Sequence, residues 1–138
     1  MRRVDWLTAY RALCGALGVL QILAGLALFL GFFGFHAPNS DSAVPTGPVG
    51  FYFIGFAGCA LIAWGGCLLG AARNPAVGRS VGTATAVGFL LCAVMRMAAW
   101  VVGDYHAFLG EVPRFEAAFF LLAALALVWL RPPAEAAA

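Results

Sequence analysis

An all-α membrane protein, a bundle of four transmembrane helices with both termini cytoplasmic, is the expectation from this chain. Three observations carry it. Of 138 residues, 64% are hydrophobic and only 10% charged, with mean hydropathy +0.95, too little polar material to skin a soluble domain. The apolar residues fall into four stretches, each long enough, at about 1.5 Å rise per residue, to cross a hydrocarbon core of about 30 Å. The arginines sit mostly where those stretches end.

The first span is expected at 8–33, inside the uncharged run from Ala12 to Ser40. Arg2 and Arg3 ahead of it resemble the start of a signal peptide. The apolar region is longer than the usual h-region, however, and no A-x-A site follows, so the segment is expected to remain as a helix. Pro38, Pro45 and Pro48 mark the turn-rich loop after it. Three further spans are expected at 50–71, closed by Arg73-Asn74-Pro75, at 80–103 and at 113–130, with Pro132-Pro133 ending the helical part. Residues 1–138 thus read as one integral membrane domain.

Charge placement orients the bundle. Arg2, Arg3 and Arg11 precede or open the first span, Arg73 and Arg79 lie between the second and third, and Arg131 follows the fourth. All fall on one side, which the positive-inside rule makes cytoplasmic. The opposite loops carry Asp41, Asp104 and Glu111 against Arg114 alone. With net charge +2, no lysine and no basic cluster, the chain has no electrostatic footprint for nucleic acid.

Arg96 and Glu116 are the exceptions to this sorting, because both lie within apolar stretches. Counting from Arg79 along the third span and from Arg131 along the fourth puts them at similar depth, roughly 7 Å below the outer surface. A charge-paired couple is the cheapest way to hold both there. Arg96, Trp100 and Asp104 recur at i, i+4 and i+8, on one helical face expected to look into the bundle. Two readings stay open: Arg96 snorkels and pairs structurally, or the couple faces a ligand.

Most phenylalanines map to the outer half, from Phe29, Phe32 and Phe33 to Phe115, Phe119 and Phe120, joined by Tyr52 and Trp100, while Phe89 is alone at greater depth. An interfacial belt accounts for Trp6, Tyr10 and Trp129 but does not call for so much phenylalanine. An outer mouth lined by aromatics around Arg96 would suit an apolar molecule with an anionic or carbonyl head. Glycines at 15, 18, 25, 31, 55, 58, 65, 66 and 70 read as close helix contacts, and Gln21 as a cross-helix hydrogen-bonding group.

Redox and metal chemistry find no signal. Cys14, Cys59, Cys67 and Cys92 form no C-x-x-C pair and have no neighbouring histidine. Phe35-His36-Ala37 and Tyr105-His106-Ala107 close the first and third spans alike, hinting at a duplicated pair of hairpins, but two histidines at loop ends make a weak cofactor pair. No cofactor, metal or catalytic residue is assigned.

Over most of its length the chain resembles the DoxX-like group of small bacterial four-helix membrane proteins, particularly members of unknown function. The resemblance rests on four spans with the polar loop after the first and on the entry Gly50-Phe51-Tyr52-Phe53-Ile54-Gly55 into the second. It rests also on the Ala72-Arg73-Asn74-Pro75 turn, Arg96 in the third span and Glu116 opening the fourth. A charged pair that such proteins often carry near the second span is absent here. The resemblance implies a four-helix bundle and a multi-pass protein of the bacterial cytoplasmic (inner) membrane.

The candidate ligand-binding set is therefore Arg96, Glu116, Trp100, Tyr52, Asp104 and His106. The preferred reading is a protein that binds a lipid, quinone or similar amphiphile in an outer-leaflet aromatic pocket around Arg96. The alternative is an accessory subunit of a larger membrane complex or a homo-oligomer that packs glycine-rich faces against other helices. A third reading, an enzyme using Glu116 or Glu111 as acid or base, lacks a nucleophile or cofactor motif, so binding is favoured over catalysis.

Overall fold

The computed structural model describes residues 6–35, 47–75, 78–101 and 110–132, and Asp104 and His106 lie outside them. The described residues form four helices: α1 (Trp6–Phe35), α2 (Gly47–Arg73), α3 (Arg79–Val101) and α4 (Val112–Trp129). Each is long and apolar enough to cross a membrane. The helices α1 and α2 overrun the expected spans at both ends. Pro48 does not delay α2, which starts at Gly47, because a proline in the first turn removes an N–H that has no intrahelical partner. Pro113 opens α4 in the same way, after Gly110 in a left-handed conformation at φ 56°.

The bundle is two hairpins, α1 with α2 and α3 with α4, each packed closely along its length, and the contacts between hairpins are sparse. Glycine sets the first hairpin. A Cβ at Gly25 would lie 2.7 Å from the carbonyl oxygen of Gly58, and one at Gly65 would lie 2.7 Å from that of Gly18. Gly18 and Gly25 are thus matched in antiparallel register with Gly65 and Gly58. A seven-residue repeat on both helices keeps these faces together over two turns and lets the backbones touch. In the second hairpin, Phe89 meets Phe120 at 5.3 Å between ring centroids, and Ala93, Ala117, Ala123 and Ala124 supply the small contact surfaces.

The four helices close on one another at the arginine end. Tyr10, Cys14, Leu17, Leu68, Ala86, Phe89, Ala124 and Leu127 form the shared core there. Tyr10 is wholly buried and its hydroxyl donates to the Gly78 carbonyl at 3.1 Å, so it is a core residue and not a member of the interfacial belt. Its ring end fills the space that a Cβ at Gly82 would need. Trp64 on α2 donates from Nε1 to Thr85 Oγ1 on α3 at 2.9 Å, and Trp6 meets Trp129 at 6.2 Å. Between α2 and α3, Asn74 N–H bonds back to Gly70 and Gly78 N–H to Asn74, a turn that brings the hairpins together. Gly66 and Gly70 depart from the packing role expected of them: nothing stands within 4 Å of where their Cβ atoms would be. They face away from α1 because the heptad-spaced glycines occupy that side of α2.

Candidate functional site

Above Leu17 and Phe89 the two hairpins part, and a cavity of about 510 Å³ opens between them. Helix α1 contributes Leu17, Leu20, Gln21 and Ala24 to its wall and α2 contributes Leu61. Facing them are Phe89 and Cys92 of α3 and Phe115, Glu116, Phe119 and Phe120 of α4. The α1 residues lie halfway along a helix of 30 residues, about 45 Å long, and Phe115 and Glu116 lie in the first two turns of α4, so the cavity runs from near the start of α4 to mid-bundle.

Two polar side chains face this apolar wall. Glu116, on the second turn of α4, sets Oε2 3.0 Å from Arg96 Nε on α3, with the side chains 40% and 33% exposed. Arg96 and Glu116, expected at similar depth, do meet. Arg96 Nε is nevertheless buried without an aligned hydrogen-bond acceptor, so the contact is an ion pair lacking a linear N–H···O bond. Arg96 pairs with the carboxylate and is not among the residues that line the cavity. Gln21 is 8% exposed, and its Oε1 has no hydrogen-bond partner. That corrects the expected cross-helix hydrogen bond: α1 and α2 meet through glycines on another face, and Gln21 turns to the gap between hairpins, where no protein donor reaches it.

The other described candidates, Trp100 and Tyr52, do not line this cavity. Trp100 is half-buried on α3 with Nε1 unpartnered, and its ring lies 6.0 Å from the Arg114 guanidinium carbon. Arg114 in turn pairs with Glu111 at 3.3 Å on the exposed rim of α4. Tyr52, 59% exposed, stacks on Phe56 and lines a separate aromatic groove of about 220 Å³ with Phe29, Phe32, Phe33, Gly55 and Cys59. That groove belongs wholly to the α1–α2 hairpin, so the aromatics form two groups and not one mouth around Arg96.

Sequence reasoning missed Leu17, Leu20, Ala24, Leu61 and Cys92 as cavity residues, since nothing distinguishes them from lipid-facing neighbours. Gln21 was the available signal, a lone amide in mid-span. The four cysteines are free thiols. Among the described residues no three His, Cys, Asp or Glu side chains gather into a set able to hold a metal ion. Glu116, paired with Arg96, and Gln21, with Oε1 unpartnered, thus place two polar side chains in an otherwise apolar cavity wall.

No family model, curated protein or solved structure matches the chain. The site's own chemistry is therefore what bears on its function.

Proposed function

We propose that the protein binds a lipid, quinone or similar amphiphile between its two hairpins, with Glu116 and Gln21 at the polar point of the site. The observation that carries this reading is a cavity of about 510 Å³ framed by all four helices and apolar except for those two side chains. Ligand sites typically span about 300–1,000 Å³ and place a few polar groups in an apolar wall. The space opens to the outside of the bundle, since Leu20, Phe115 and Phe119 on its wall are exposed. The setting proposed is the bacterial cytoplasmic membrane, with both termini inside, argued from the arginines at one end of the bundle. DoxX-like kinship belongs to the same proposal and is supported by the Ala72-Arg73-Asn74-Pro75 turn and by Arg96 and Glu116.

The test is native mass spectrometry of protein released gently from membranes, comparing wild type with Leu20→Trp and Ala24→Trp, which fill the cavity from α1. A small molecule retained by wild type and lost from both variants is expected. Wild type that carries none, or variants that keep it, would refute the site.

A second reading, an accessory subunit or homo-oligomer, has one observation in its favour. Gly66 and Gly70 lie four apart on α2 with open space above them, a small-residue face of the kind on which membrane helices dock. It predicts a stoichiometric protein partner in the same spectrum and no small molecule.

A further inference from the structure

The polar groups that border the cavity select the chemistry of the head they would meet. The sequence suggested an anionic or carbonyl head because Arg96 was expected to line the mouth. Instead Glu116 lines the cavity, and its ion-pair partner Arg96 does not. An anionic head entering here meets a carboxylate first, in surroundings where like charges are poorly screened. A bare carbonyl can accept from the Gln21 amide but gives nothing to Glu116. That carboxylate has about four acceptor positions, and one misaligned contact to Arg96 does not saturate them. Gln21 adds an amide that both donates and accepts, more than nine-tenths buried, with Oε1 lacking any donor.

We infer that the amphiphile's head is a hydroxyl, of an alcohol or phenol, which donates to Glu116 and shares a hydrogen bond with the Gln21 amide. A hydroxyl both donates and accepts while carrying no charge, which a carboxylate, an ether or a bare carbonyl does not. This inference rests on the cavity reading proposed above. The apolar wall of Leu17, Leu20, Leu61, Phe89 and Phe119 then takes the hydrocarbon part.

The test uses the full chain in phosphatidylcholine nanodiscs and measures retention of three probes of equal chain length: 1-hexadecanol, methyl hexadecyl ether and hexadecanoate. A hydrogen bond to a charged group is the interaction at stake, so the alcohol is expected to be retained about tenfold or more over the other two. Gln21→Leu, which keeps the ion pair and adds no charge, should shrink that preference by several-fold. Glu116→Gln should abolish the discrimination against hexadecanoate. Ether retained as well as alcohol, or hexadecanoate retained better, with binding still blocked by Ala24→Trp, overturns the hydroxyl assignment and leaves the cavity standing. Failure of wild type to retain any of the three overturns the cavity reading and this inference with it.

Discussion

Glu116 Oε2 and Arg96 Nε, 3.0 Å apart, join α4 to α3 at the level where the hairpins separate, and only the glutamate borders the space between them. The ion pair fixes where the carboxylate lies. Removing one partner strands the other charge in a largely apolar setting, whereas removing both leaves two ordinary helix contacts. Arg96→Met and Glu116→Gln should each destabilise the detergent-solubilised protein more than the double variant does. A double-mutant cycle on reversible unfolding should give a coupling of about 1 kcal/mol, limited by the partial exposure of both side chains. A cycle that closes to zero would show the two side chains to be independent.

Glycines on α2 divide by face, and substitutions should divide with them. Gly58→Ala sets a methyl 2.7 Å from the Gly25 carbonyl oxygen and 2.8 Å from the Phe29 nitrogen, both rigid backbone atoms. Pushing the helices apart to admit it should cost about 1–3 kcal/mol. Gly66→Ala and Gly70→Ala meet nothing and gain helix propensity, so they should be neutral or stabilising by up to about 1 kcal/mol in the isolated chain. Thermal unfolding in one detergent separates the two classes. Equal effects at positions 58 and 66 would contradict the register.

Between the hairpins, few polar contacts do the joining. Trp64 Nε1 to Thr85 Oγ1 at 2.9 Å and Tyr10 to the Gly78 carbonyl at 3.1 Å both lie on the side where the core closes. Trp64→Phe and Tyr10→Phe should each lower stability by about 0.5–1.5 kcal/mol with helix content unchanged. Hydrogen exchange should rise along α3 and α4 relative to α1, because the glycine-matched hairpin does not depend on these bonds. Uniform loss of protection would argue against two separable units.

Gln21 should trade stability against binding. Its Oε1 has no partner within the protein, so Gln21→Leu removes an unsatisfied buried group and should stabilise the ligand-free chain by about 1 kcal/mol. The same change should weaken retention of 1-hexadecanol. A variant that is less stable and binds as well would mean that the amide serves packing alone.

Much of this architecture was legible before the fold was known. Length and hydropathy located four spans, and counting residues from the flanking arginines put Arg96 level with Glu116, because helical rise is nearly constant. Helix faces were harder to read. All four helices are apolar nearly all round, so periodicity does not distinguish a core face from a lipid face. Gly58 and Gly66 therefore looked alike, Tyr10 read as a belt residue, and Tyr52 was grouped with Arg96 although its groove lies within the first hairpin. The cavity wall was invisible for the same reason, apart from the amide of Gln21.

The most direct measurement is photo-crosslinking with a 1-hexadecanol analogue carrying a mid-chain diazirine, in nanodiscs, with labelled peptides mapped by mass spectrometry. The account predicts saturable labelling at Leu20, Leu61 and Phe119, competed by excess 1-hexadecanol and lost in Ala24→Trp. Labelling confined to outward-facing residues such as Leu23, Leu91 and Leu122, unaffected by competitor, would contradict a ligand between the hairpins.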